Sequence, residues 1–290
     1  MIETFTSHRR LLFGIAYRML GRVSDAEDMV QEVWLRWQRQ DAAQIRSAKA
    51  WLVSAVTRLC IDQLRGARRE REEYYGVWLP EPLMPRTADS GPDSDAAAEL
   101  SASLTMAFMV MLESLGPVER AAFLLREVFG YEYAEVAQIV GKSEVNCRQI
   151  VRRAKTQLQA GRRPPPAPTE QARRLVEQFL AAAATGEVAN VLAVLAEDTT
   201  VYSDGGGRVK AAGRPIVGAD HVSRFLIGIW PKFVSEMQRR IVDINGCPGV
   251  VMQSNGQVHY AFSFELAGDR VRDIYIICNP DKLRHLAAGG

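Results

Sequence analysis

A chain of 290 residues is long for one compact domain, and 47% hydrophobic with 24% charged residues excludes a disordered or fibrous protein. The formal charge of +2 is spread unevenly: residues 142–163 carry seven basic side chains against Glu144 alone, whereas 81–99 carry five acids against Arg86. Such a division points to two surfaces of different sign within one chain.

In chain order, the first piece (1–75) reads as helical. "SDAEDMVQEVWLRW" opens with Ser24 and, three residues on, Glu27, which predicts a capping box. Met29, Val30, Val33, Trp34 and Trp37 follow at helical spacing. A second helix, "WLVSAVTRLCIDQLR", places Leu52, Ala55, Val56, Leu59 and Cys60 on one face. Its other face carries Ser54, Thr57, Arg58, Gln63 and Arg65. Between them, "QIRSAKAW" offers Arg46, Ser47, Lys49 and Trp51. Aromatic rings beside cations suit single-stranded bases, which stack while the cations follow the backbone. Core packing is the equally open reading of Trp34, Trp37 and Trp51.

Residues 76–103 are rich in Pro, Asp, Ser and Gly without sustained periodicity and read as an acidic linker. The next piece (104–162) contains "YEYAEVAQIVGKSEVNCRQIVRRAKTQL". A short helix holding Val136, Ala137 and Ile139 stops at Gly141, and Ser143 caps a second helix whose Cys147, Ile150 and Val151 face inward. Glu144, Asn146, Arg148, Gln149, Arg152, Arg153 and Lys155 then point outward. This is a helix-turn-helix: Arg, Asn and Gln read base edges in a major groove, and the trailing cations neutralise phosphates.

"GRRPPPAP" supplies a stiff spacer (163–169) in which no helix continues. The last piece (170–288) changes character. Helices are expected near 170–184 and 187–196, a strand near 199–203, and a helix from Ala219. Strands follow near 237–245, 249–254, 257–266 and 270–278, with a hairpin at Asn255-Gly256. The loop "YSDGGGRVK" resembles a phosphate cradle, but Pro215 precedes the next helix and no Lys-Ser/Thr follows the glycines. It is therefore expected to be a flexible rim loop. Its glycines would let the backbone approach a partner surface, with Asp204 and Arg208 making polar contacts.

Cys60, Cys147, Cys247 and Cys278 are scattered without CxxC spacing, which argues against a zinc site or disulfide scaffold and fits a reducing cytoplasm. No signal-peptide core and no apolar run of about 20 residues is present, so a soluble cytoplasmic protein with no membrane partner is expected. Neither a metal nor another cofactor is expected.

The order and spacing of "DAEDMVQEVWLRW", "WLVSAVTRLCIDQLR", the acidic linker and "LGPVERAAFLLREVFGYEYAEVAQIVGKSEVNCRQIVRRAK" resemble the extracytoplasmic-function sigma factors over about residues 1–160. The resemblance implies core RNA polymerase (β′ and β subunits) and promoter DNA as partners. It implies docking on the polymerase through Asp25, Asp28, Gln31, Glu32, Trp34 and Leu35. It assigns melted minus-ten bases to Arg46, Ser47, Lys49, Trp51, Thr57, Arg58 and Arg65. The minus-thirty-five element falls to Ser143, Glu144, Asn146, Arg148, Gln149, Arg152, Arg153 and Lys155.

The remaining length looks like a SnoaL-like fold, the α+β cone shared with ketosteroid isomerase. "WLPEP" (78–82), "DGGGR" (204–208) and "NPDKL" (279–283) resemble the sigma-factor subgroup that carries this domain fused. The middle motif usually ends in Lys, so Arg208 keeps the charge but not the shape. The fold class so implied is two all-α sigma domains, the second a helix-turn-helix, followed by the cone. The implied regulatory contacts are Trp78, Leu79, Pro80, Glu81 and Pro82, then Asp204, Gly205, Gly206, Gly207 and Arg208, then Asn279, Pro280, Asp281, Lys282 and Leu283. In the subgroup the fused domain controls the sigma core directly, so no separate anti-sigma protein is required.

A small apolar ligand in the cone is a further expectation. The cone also offers the acid–base groups Tyr202, Asp204, His221, His259 and Asp273, without diagnostic spacing, and fold alone confers no activity. Two rivals stand beside the sigma factor: a ligand-sensing helix-turn-helix regulator, and a SnoaL-like enzyme fused to a DNA-binding module.

Overall fold

The computed structural model describes residues 1–41, 45–84, 104–159, 169–234 and 237–286. The acidic residues of the linker beyond Glu81, and the Pro-rich spacer, lie outside them. The chain divides into two compact units, one formed by Met1–Glu72 and Met109–Arg162, the other by Glu73–Phe108 and Arg163–Gly290.

The first unit is all helical. It contains α1 (Ile2–Leu20), α2 (Val23–Gln38), α3 (Ala48–Glu72) and the end of α4 (Met106–Leu112). α5 (Pro117–Phe123) runs on into a π turn (Leu124–Val128), and α6 (Tyr133–Val140) and α7 (Glu144–Gln159) complete it. α1, α2 and α3 pack as a trio around Leu12, Ile15, Met19, Val30, Val33, Trp37, Leu52, Val56 and Cys60. α1 ends at Gly21 in the left-handed conformation (φ 70°), which turns the chain at once into α2. That tight turn starts α2 at Val23 with Arg22 as N-cap, so Ser24 lies inside the first turn and does not cap it as expected. α3 also packs on α5 and α6, so both helical pieces belong to one body.

The second unit is α+β, as expected. α8 (Thr169–Ala184), α9 (Val188–Val194) and α10 (Ala219–Val234) pack with a six-stranded sheet. Its strands are β1 (Leu195–Asp204), β2 (Ile216–Val217), β3 (Gln238–Ile244), β4 (Cys247–Ser254), β5 (Gln257–Ala267) and β6 (Arg270–Ile277), ordered β2-β1-β6-β5-β4-β3. β3 to β6 form the antiparallel meander read from the sequence, and β1 adds parallel to β6. β1 begins at Leu195, so the preceding helix ends two residues short of its expected limit. Val176, Phe179, Val201, Leu226, Trp230, Phe262, Phe264, Ile274 and Ile276 fill the interior of the cone. Two short turns, Pro280–Lys282 and Arg284–Leu286, follow β6.

Candidate functional sites

The helix-turn-helix forms as its sequence dictates. α6 ends at Gly141 (φ 67°), and the Ser143 hydroxyl accepts the Asn146 amide at 3.3 Å, which caps α7. Cys147, Val151 and Ala154 are buried, while Ser143, Glu144, Asn146, Arg148, Gln149, Arg152, Arg153 and Lys155 are all exposed. Arg148 is braced by Glu144 one turn back and lies over the Tyr133 ring at 4.4 Å. Lys155 pairs with Glu127 at 2.6 Å. Gln149, Arg152, Arg153, Thr156 and Gln157 line one outward groove. A single exposed helix face with arginines and amides is what groove reading needs.

On α2, Asp28, Gln31 and Leu35 are exposed and Asp25 and Glu32 partly so. Trp34 is half-buried against Phe5, with ring centroids 4.8 Å apart. Trp37 is core, donating its indole N–H to the Met1 carbonyl, and Trp51 packs on it at 5.3 Å.

The minus-ten set divides. Arg46, Ser47, Lys49 and Arg65 are exposed, and Ser47 caps α3 by accepting the Ala50 amide. Thr57 is a correction: it is fully buried between α3 and its neighbours, so it cannot reach a base. Its hydroxyl has no hydrogen-bond partner among the described residues. Arg58 is exposed, but its guanidinium is engaged by α6 of the same unit. Its Nε donates to the Ile139 carbonyl at 3.0 Å and its Nη2 to the Gln138 carbonyl at 2.9 Å. These are last-turn carbonyls of α6 that no helical amide reaches, and the helix dipole favours a cation there. Arg58→Ala is therefore expected to destabilise the first unit by about 0.5–1.5 kcal/mol, solvent screening keeping the loss small, read by urea denaturation.

A second cluster lies in the second unit, where the three short motifs converge. Asp204, the last residue of β1, and Lys282 are both buried, with Nζ 2.7 Å from Oδ2. The carboxylate accepts three more bonds: from the Leu79 amide at 2.8 Å, the Tyr74 hydroxyl at 2.6 Å and the Gly206 amide at 3.0 Å. Lys282 also donates to the Leu79 carbonyl. Its ammonium sits 4.1 Å from the Trp78 ring centroid and 5.1 Å from that of Tyr74, close enough for cation–π attraction. The ion pair thus grips both main-chain groups of Leu79, doing for an isolated extended segment what a neighbouring strand would do.

The segment is held again further on. The Pro82 carbonyl accepts from His285 Nε2 at 2.7 Å, and Leu83 exchanges two bonds with Asn245. Pro80 and Pro82 bring no amide N–H that would need a partner, which suits a buried extended chain. Leu79, Pro80, Glu81 and Pro82 are accordingly buried.

The glycines serve this cluster rather than a mobile rim. A Cβ at Gly206 (φ 58°) would collide with Asn279 Nδ2, and one at Gly205 with the Val209 carbonyl. Asn279 bonds the Tyr74 hydroxyl at 3.0 Å and, through its main-chain amide, the Asp204 carbonyl at 2.9 Å. Burial, with Asp204 nearby, pushes the Cys278 thiol up to about 12. Asp204 was expected on an exposed rim and is instead the centre of the cluster; Arg208 alone keeps the surface role, pairing with Asp281 at 3.4 Å. Leu283 is buried and Pro280 exposed. Tyr74, Asn245 and His285 were missed in the sequence. The pair Asn245-Gly246 is itself a hairpin signal, with Asn245 at φ 55°, and would have marked the β3–β4 turn.

The acid–base candidates do not form one site. Asp204 is occupied by its four hydrogen bonds. His221 bonds the Val217 carbonyl on the surface, His259 bonds the Ser254 hydroxyl, and Tyr202 stacks on Tyr275. Asp273 is buried on β6. Among the described residues no helix is long and apolar enough to cross a membrane.

Comparison with known proteins accounts for both units. The models described as Sigma-70 region 2 and Sigma-70, region 4 match residues 4–70 and 105–158. ECF RNA polymerase sigma factor SigJ of Mycobacterium tuberculosis is 36% identical over 97% of this chain and 92% of its own length. Probable ECF RNA polymerase sigma factor SigI of the same organism is 29% identical over 97% of this chain and 94% of its own. The crystal structure of the Mycobacterium tuberculosis extracytoplasmic function sigma factor SigJ superposes with a TM-score of 0.78 at 32% identity, covering 98% of both chains. With both sigma regions matched in order and a relative aligned along nearly its whole length, the chain belongs to the ECF RNA polymerase sigma factors, alternative sigma factors that serve transcription initiation.

Proposed function

We propose that this sigma factor is controlled in cis, its C-terminal cone governing promoter output by holding the linker between the two promoter-binding pieces. The observation that carries the reading is the grip of the buried Asp204–Lys282 pair on both main-chain groups of Leu79. A linker held there is restricted in where it can carry the two sigma regions, and a change in that grip changes their freedom to span a promoter. No separate anti-sigma protein is required in this scheme. The exposed face of α7 reads the minus-thirty-five element, and Arg46, Ser47, Lys49, Trp51 and Arg65 meet the minus-ten bases. Asp28, Gln31 and Leu35, with Asp25, Glu32 and Trp34, dock on the core polymerase, in the cytoplasm.

The cone works as a regulatory body and not as an enzyme, since its candidate base Asp204 is engaged and its other acid–base groups are dispersed. Its interior is packed with side chains among the described residues, so an apolar ligand would enter only by displacing them.

Runoff transcription with core RNA polymerase tests the reading with three proteins: the full chain, a chain ending at residue 165, and Trp78→Ala. Cis control requires the truncated chain to differ in yield from the full chain. It also requires Trp78→Ala, which removes one wall around Lys282, to shift toward the truncated chain. Equal yields from all three reject it.

A further inference from the structure

Beside the buried cluster lies a surface that the cis-control reading does not use. Tyr75 is 76% exposed, and its side chain lies next to Gly207, where an added methyl would meet its Cβ at 3.6 Å. Gly76, next along the linker, lies close to Gly213, whose Cα an added methyl at Gly76 would meet at 3.8 Å. This places Tyr75 beside the loop 205–215, which carries Arg208, Lys210 and Arg214 and no acid. Arg208 and Arg284 share Asp281, so both are partly neutralised. Lys210 and Arg214 are exposed and form no ion pair among the described residues, and Val209 is 44% exposed between the cations. Glu73, two residues before Tyr75, is also exposed.

We propose that Tyr75 with Lys210 and Arg214 forms a binding surface for single-stranded nucleic acid, Tyr75 stacking on an unpaired base while the two cations follow the phosphates. A ring this exposed has a face available, and stacking on it is open to an unpaired base and closed to a paired one. The loop has no helix or ribbon to enter a groove, so duplex reading stays with α7. An acidic protein would use the cations but gain little from a flat, solvent-facing tyrosine. The proposal is independent of cis control, since neither Lys210 nor Arg214 touches Asp204, Lys282 or Leu79.

Fluorescence anisotropy of the full chain with a labelled single-stranded DNA oligonucleotide, repeated across salt concentrations, tests it. Lys210→Ala/Arg214→Ala is expected to reduce the slope of log K against log salt by about 1.4, two contacts at ~0.7 each. Tyr75→Ala is expected to weaken binding about 5- to 100-fold. Binding of a minus-thirty-five duplex by the same variants stays unchanged. No binding by the parent chain, an unaltered slope in the double variant, or an equal loss on duplex DNA overturns the proposal. A second measurement needs no loss of function: p-benzoylphenylalanine at position 75, irradiated in the holoenzyme–promoter complex. An adduct with DNA supports the surface, whereas an adduct with a polymerase subunit alone, or none, overturns it.

Discussion

Asp204→Ala is expected to lower the stability of the second unit by about 3–5 kcal/mol, because it leaves the Lys282 ammonium buried with no counter-charge. The loss is compounded by the Leu79 amide, the Tyr74 hydroxyl and the Gly206 amide, which all lose an acceptor at once. Lys282→Met keeps the apolar stem of the side chain but removes the charge, and with it the cation–π contact with Trp78 and the bond to the Leu79 carbonyl. The carboxylate then keeps three of its donors, so this variant should cost less than Asp204→Ala. The double variant Asp204→Ala/Lys282→Met should be less destabilised than the sum of the two, since no unpaired charge remains. Denaturation of the four proteins completes the cycle, and hydrogen exchange over residues 77–84 reports the linker directly. In Asp204→Ala these amides should exchange faster while those of α7 are unchanged. If exchange over 77–84 is unaltered, the ion pair does not hold the linker.

The same pair explains what the sequence could and could not disclose. α6, α7 and their turn were legible because every determinant is local: apolar spacing, Gly141 to stop one helix and Ser143 to cap the next. The meander was legible from alternation and from Asn255-Gly256. Thr57 was misread because polarity outweighed position. It lies in the stripe Val53, Val56, Thr57, Cys60, Ile61 and Leu64, all buried, so helical periodicity alone would have placed it inside. Arg58 gave no such clue, since its acceptors are 80 and 81 residues away. Asp204 and Lys282 are 78 residues apart, and no period or spacing announces their meeting. The family resemblance marked all three motifs for attention but not the contact that joins them, nor Tyr74, Asn245 and His285, which complete it.

Gly206 and Gly207 offer a sharper test of why the loop is glycine-rich, because both have positive φ (58° and 69°) but different surroundings. Each alanine substitution carries the strain of a left-handed L-residue, about 1–2 kcal/mol. At Gly207 the added methyl meets Tyr75 at 3.6 Å, an ordinary contact, so strain is the whole cost expected. At Gly206 it runs into Asn279 Nδ2 and crowds the Tyr74 hydroxyl at 3.0 Å. Neither can retreat without breaking their mutual hydrogen bond, which also orients the phenol toward Asp204. Gly206→Ala should therefore loosen the linker, with faster hydrogen exchange over 77–84 and a runoff yield displaced in the direction of Trp78→Ala. Gly207→Ala should lower the melting temperature modestly and leave both readouts near those of the parent chain. Equal effects of the two substitutions would mean that backbone conformation alone requires these glycines. A larger effect at Gly206 would tie the loop to Asn279, and through Tyr74 to the carboxylate that holds Leu79.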